Sequence, residues 1–222
     1  MKLFKQMLAV VLYGAAFGAF ASTAAPVAGT DYVVLPEPQA VDTGKKVEVI
    51  EFFAYYCPHC YALEPAMAAW VKKQGDNVVF KRVHVSRGPS VLPQQKLYFA
   101  LESMGLLEQN HTKIFDAMHE QGNPLRNDTA VIDWATSNGI DKARFTEAYN
   151  SFGVAAKLRR TERMMGDYRV DYWPMIVVDG KYMTSPAEAN KSIKPVPNEA
   201  QQHANALTVL DFLVSKAKAE KK

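Results

Sequence analysis

One segment restricts what this chain can become more than any other. An apolar run, Val47-Glu48-Val49-Ile50-Glu51-Phe52-Phe53-Ala54, leads to Cys57-Pro58-His59-Cys60, which holds both cysteines of the chain. A run of β-branched and aromatic residues predicts a buried strand. From Cys60 onward, apolar residues recur at Leu63, Met67, Trp70 and Val71, which is helical spacing. Pro58 suits the first turn of that helix, where its missing N–H costs nothing. A dithiol is therefore expected at a strand-to-helix junction.

That position carries chemistry. The first turn of a helix presents unpaired N–H groups and the positive end of the helix dipole, so a sulfur held there is stabilised as thiolate. Cys57 comes first and is expected to be the exposed sulfur; Cys60, one turn on, is expected to face inward. This division suits an attacking or attacked thiol at Cys57 and a resolving thiol at Cys60. The dipole supplies about 0.3–2 kcal/mol, whereas one pKa unit is about 1.4 kcal/mol. A large drop in pKa needs more, and His59, between the sulfurs, can add a donor or a positive charge.

The 222 residues are 48% hydrophobic, enough for one well-buried domain or a domain with a large insertion. The net charge is +3 with Lys and Arg dispersed, so nothing points to nucleic acid. Lys2 and Lys5 precede an apolar stretch from Met7 to Phe20 and then Ala21-Ser22-Thr23-Ala24-Ala25, the layout of a secretory signal cleaved after Ala21 or Ala24. An uncleaved anchor is the alternative, but the apolar core is short for a membrane span. Outside the cytosol a cysteine pair is oxidised unless something reduces it. A two-residue spacer closes a tiny loop and gains little from chain entropy, which favours a redox site over a stabilising bridge. Zinc would need two further ligands, and the five histidines offer no second paired spacing. Haem attachment needs His directly after the second cysteine, where this chain has Tyr61.

Further along, Tyr32 to Leu35 reads as a short strand, and Val78 to Val85 as a strand parallel to the first through a crossover helix that contains Pro65. From Ser90 to Asp167 the pattern is helical throughout. Leu97, Ala100, Leu101 and Met104 form one stripe, Ile114, Phe115 and Met118 another, and Phe145, Tyr149 and Phe152 are expected inward. Tyr172 to Tyr182 predicts a hairpin through an Asp-Gly turn, and Pro174 at its start calls for an edge position or a cis bond. Asn198 to Lys218 closes the chain as an amphipathic helix with Ala206, Leu207, Leu210, Leu213 and Val214 inward.

Glu51-Phe52-Phe53-Ala54-Tyr55-Tyr56-Cys57-Pro58-His59-Cys60-Tyr61 resembles the active-site stretch of the DsbA family of bacterial periplasmic thiol:disulfide oxidoreductases, and Val177 to Tyr182 resembles that family's hairpin. The order of elements agrees over nearly the whole chain after the signal. The resemblance implies an α/β chain, a thioredoxin fold with an inserted all-α helical subdomain. The expected divisions are 1–24 for the signal peptide, 25–89 for the first part of the thioredoxin domain, 90–167 for the helical insertion and 168–222 for the second part. It implies Cys57 as the nucleophilic sulfur, Cys60 as its buried partner, and His59 as a stabiliser of the reduced form. Pro174 would be a cis-proline against the disulfide, with Pro58, Trp173 and Met175 beside it at the substrate-binding surface. Glu51 and Glu64 match acids below the dithiol and on its helix, candidates for proton handling around Cys60; a carboxylate at Glu51 is costly unless paired, and a solvated position or a structural ion pair accounts for Glu64 as well as such a role does. Relatives of this fold carry a small or β-branched residue where this chain has Trp173, which bears on substrate breadth.

The function implied is a periplasmic monomer that introduces disulfides into reduced, unfolded secretory proteins. It would need no cofactor beyond the Cys57–Cys60 disulfide and no metal, and would be reoxidised by a membrane quinone oxidoreductase of the DsbB type. Two rivals stay open: a disulfide isomerase or reductase of the same fold, and a secreted peptide-binding chaperone.

Overall fold

The computed structural model describes residues 25–221; the expected signal peptide over residues 1–24 lies outside the described residues. β2 (Val47–Phe53) is buried at every position, as its composition requires. It pairs in parallel with β3 (Val78–His84), Val47 opposite Val78 and Phe53 opposite His84. Its other edge pairs antiparallel with β4 (Met175–Val178), Phe52 opposite Met175. β5 (Tyr182–Thr184) continues the hairpin and β1 (Val33–Val34) caps the edge, giving the order β1-β5-β4-β2-β3. The hairpin turn needs two successive left-handed residues, Asp179 (φ 52°) and Gly180 (φ 64°). A Cβ at Gly180 would also fall 2.2 Å from the Gln39 carbonyl oxygen, so the position tolerates only glycine.

α1 (Pro58–Gln74) runs between the two parallel strands with Pro65 inside it, and α7 (Glu199–Glu220) opens on a capping box between Asn198 and Gln201. Together they cover one sheet face: Val47, Val49, Ile176 and Val178 meet Leu63, Met67, Trp70, Leu210 and Leu213. Ile50 and Phe52 point to the other face, toward the helices that lie between β3 and β4 in the chain. These are α2 (Leu92–Ser103), α3 (Leu107–His119), α4 (Asp128–Ser137), α5 (Lys142–Tyr149) and α6 (Phe152–Asp167). Leu97, Leu101, Ile114, Phe115, Phe145 and Tyr149 fill this second core.

One apolar expectation fails. Phe152 is 81% exposed. Ser151 caps α6 by accepting from the Val154 amide, so a new helix begins at Phe152 and the inward phase set by Phe145 and Tyr149 does not carry across. The Arg159 guanidinium lies 5.5 Å from its ring instead. Two X-Pro bonds are cis, Trp173–Pro174 and Lys194–Pro195.

Candidate active site

The dithiol sits where strand becomes helix. Cys57 is the N-cap of α1 in an extended conformation, Pro58 is the first helical residue, and the Cys57 sulfur accepts the Cys60 amide at 3.3 Å. The two cysteines are free thiols. Cys60 is 1% exposed, as expected for an inward sulfur, but Cys57 is only 6% exposed rather than open to solvent. The cause is its surroundings: the Trp173 carbonyl oxygen is 3.7 Å from Sγ, and Tyr56 and Trp173, packed edge to face, adjoin the core cluster that contains Cys57.

Their acidities diverge. Hydrogen bonding from the Cys60 thiol, with help from the Cys60 and His59 amides and the His59 charge, lowers Cys57 to about 7 against the opposing effect of burial. Burial, and then the hydrogen bond and charge of Cys57, push Cys60 well above the ordinary thiol value. His59 contributes from an exposed position. Its Nδ1 lies 2.8 Å from Glu199 Oε1 on α7, and that hydrogen bond raises its pKa.

Below the dithiol, one guanidinium gathers the acids. Arg82 of β3 donates through Nε to Glu51 (3.2 Å) and through Nη2 to both oxygens of Glu64 (2.9 and 3.2 Å), with Glu108 of α3 at 3.8 Å. All three of Arg82, Glu51 and Glu64 have buried side chains. Burial nevertheless pushes Glu51 up to about 7, with Arg82 working against it. Pro174 and Trp173 line a cavity of about 250 Å³ together with His59, Tyr172, Glu199 and His203. The Met175 side chain is buried in the core beside β2. Thus Cys57, Cys60, His59, Trp173 and Pro174 come together at the helix tip, and Glu51 and Glu64 share a cation.

The sequence reading missed the histidines that hold the loop before Cys57. His84 Nε2 accepts the Tyr55 amide (3.0 Å) while its Nδ1 donates to the Val85 carbonyl (2.9 Å), and burial drives its pKa down to about 3, keeping it neutral. His111 Nδ1 pairs with the Tyr55 hydroxyl at 2.8 Å, and His119 Nε2 donates to the Tyr55 carbonyl at 2.8 Å. The spacing His111, Phe115, His119 puts all three on one helix face and was the available signal. Among the described residues no group of three or more His, Cys, Asp or Glu is placed to hold a metal ion, and no helix is long and apolar enough to cross a membrane.

A thioredoxin-type sheet whose Cys-x-x-Cys sulfur caps a helix beside a cis-proline defines a thiol:disulfide oxidoreductase. Comparison with known proteins narrows the class. Two family profiles match, a DSBA-like thioredoxin domain over residues 87–194 and thioredoxin over residues 38–99. The thiol:disulfide interchange protein DsbA of Burkholderia cepacia is 43% identical, covering 98% of this chain and 99% of that one. The crystal structure of Pseudomonas aeruginosa DsbA is similar with a TM-score of 0.77 at 32% identity, covering 88% of this chain and 96% of that one. That of Xylella fastidiosa DsbA gives 0.76 at 28%, covering 87% and 98%. The chain belongs to the DsbA family.

Proposed function

We propose that this protein is an exported dithiol oxidase that passes the Cys57–Cys60 disulfide to reduced, unfolded secretory proteins in the periplasm. The observation that carries the reading is the split between the two thiols: Cys57 is lowered to about 7 while Cys60 is raised. Whatever favours the Cys57 thiolate favours the reduced protein and so makes the disulfide more oxidising, by about 30 mV for each 1.4 kcal/mol.

In the reaction, a client thiolate attacks Cys57 Sγ. A client–Cys57 disulfide forms, the Cys57–Cys60 bond breaks, and the electron pair leaves on Cys60. Because burial makes the Cys60 thiolate costly, a proton follows it, and Glu51, which titrates near neutrality and whose charge is felt at Cys60, is suited to supply one. A second client thiolate then attacks the client sulfur of the mixed disulfide. Cys57 departs as a stabilised thiolate, the client keeps the new disulfide, and the protein holds both electrons as a dithiol. The Trp173 carbonyl beside Cys57 Sγ and the cis-Pro174 next to it suit an extended client backbone lying alongside. A quinone-linked membrane protein of the DsbB type is the partner that would accept the electrons.

Cys57→Ser is expected to abolish oxidation of a reduced client, whereas Cys60→Ser is expected to accumulate client–Cys57 mixed disulfides visible on non-reducing gels. Full oxidase activity in Cys57→Ser protein would defeat the assignment.

A further inference from the structure

The opening of α7 meets the active site at one side chain. Glu199 is the first residue of α7, and the capping box between Asn198 and Gln201 fixes that turn. Its Oε1 lies 2.8 Å from Nδ1 of His59, on the first turn of α1, and both side chains line the cavity at Trp173 and Pro174. His203, one turn along α7, is 3.9 Å from the same oxygen. Burial disfavours the charged form of His203, whereas the bond to Glu199 favours that of His59, so it is His59 that answers the carboxylate.

That contact decides where the His59 donor goes. His59 stands between the two cysteines, yet among the described residues no hydrogen bond joins its ring to the Cys57 sulfur. The sulfur accepts the Cys60 amide and lies against the Trp173 carbonyl, while His59 Nδ1–H points to Glu199. The His59 charge still reaches Cys57, but it acts less than the Cys60 thiol and the two amides. A carboxylate beside the imidazolium also opposes its field at the sulfur. The bond to Glu199 raises the His59 pKa, which by itself favours the thiolate. In the reduced protein, however, the charge of Cys57 raises it too, so a His59 released from Glu199 keeps a reason to hold its proton.

We propose that Glu199 is a positioning residue that restrains the oxidant: by bonding the His59 ring toward α7, it withholds an imidazolium from the Cys57 thiolate. The dithiol is thereby less favoured than the Cys-Pro-His-Cys segment alone would make it, and the disulfide is less oxidising. The inference rests on the oxidase reading and adds a residue outside the motif that sets its strength. The two side chains are 71% and 49% exposed, so the effect is that of an exposed ion pair, about two- to fivefold in an equilibrium constant.

The test equilibrates the protein against reduced and oxidised glutathione at neutral pH and titrates the Cys57 thiolate by its ultraviolet absorbance. Glu199→Gln, which keeps the shape and removes the charge, is expected to shift the equilibrium about two- to fivefold toward the dithiol and to lower the Cys57 midpoint by about 0.3–0.7 pH units. In a His59→Gln background the same exchange is expected to have less than half that effect, because the restraint acts through His59. The His59 proton signals of the oxidised protein are expected to titrate lower in Glu199→Gln than in wild type. A His59 titration that does not move overturns the contact. A Cys57 midpoint that stays or rises in Glu199→Gln overturns the restraint, a rise meaning that Glu199 acts by keeping His59 charged. An equal shift in both backgrounds overturns it too, since the carboxylate would then act on Cys57 directly. All of these leave the oxidase standing. A wild-type disulfide that glutathione fails to reduce overturns the oxidase reading itself, whatever Glu199 does.

Discussion

Glu51 lies in a strand buried on both faces, one strand away from Arg82, and its carboxyl is pushed up to about 7 from an ordinary 4.5 by burial. Between those two values the folded protein holds a proton that the unfolded chain has released. The contribution of this group to stability is therefore complete below pH 4.5 and lost as pH rises through about 7. In Glu51→Gln the decline is expected to vanish. The difference in unfolding free energy between wild type and variant should change by about 1–3 kcal/mol between pH 4.5 and 7.5, as read from urea titrations across that range. Parallel profiles would show that Glu51 does not titrate there. The cost of a bare carboxylate in such a strand was visible in the sequence; its partner was not, because Arg82 is 31 residues away and reads as an ordinary exposed strand cation. The exposure expected of Cys57 failed for a similar reason. A strand-to-helix junction says where a sulfur is in the chain, but Trp173, which covers it, arrives from 116 residues further on.

At the scale of elements, the join between β2 and the helical block runs through Phe53. Its ring lies 5.1–5.9 Å from those of Tyr55, His84, Tyr98, His111 and Phe115, which come from the loop before the dithiol, β3, α2 and α3. Phe53→Ala is expected to cost about 3–5 kcal/mol in denaturant unfolding, because the neighbours belong to different elements and cannot all close on the cavity. A loss under about 1 kcal/mol would mean the block packs on the sheet by other contacts. The elements themselves were largely legible. Runs rich in β-branched and aromatic residues, the Asp-Gly turn and the amphipathic spacing from Asn198 are local signals, and each marks the element found there. Helix phase across a short break was not, as Phe152 illustrates, since a serine cap resets which side of the next helix faces in.

For the molecule as a whole, the redox state and the fold are linked through Cys57. Its thiol titrates near 7 when folded and near 9 when unfolded. The reduced protein therefore gains stability as pH rises from 7 toward 9, and loses it as pH falls through 7; the oxidised protein has no such group. The reduced form is expected to melt higher than the oxidised form, with the gap in Tm widening between pH 6 and 8.5. A gap that stays constant over that range would show that the thiolate is not what the fold favours. The contact of His59 with Glu199 belongs to this scale too, 140 residues apart in the chain, and no local pattern announces it.

Arg82 faces acids from β2, α1 and α3 at once. A single charge serving three separate segments makes that corner of the protein a keystone. Replacing it alone would strand two carboxylates in the interior, and replacing either acid alone would unbalance the other. Evolutionary tuning of oxidant strength from beneath the dithiol is thereby confined to coordinated exchanges, while the rim at Trp173 stays open to change one residue at a time.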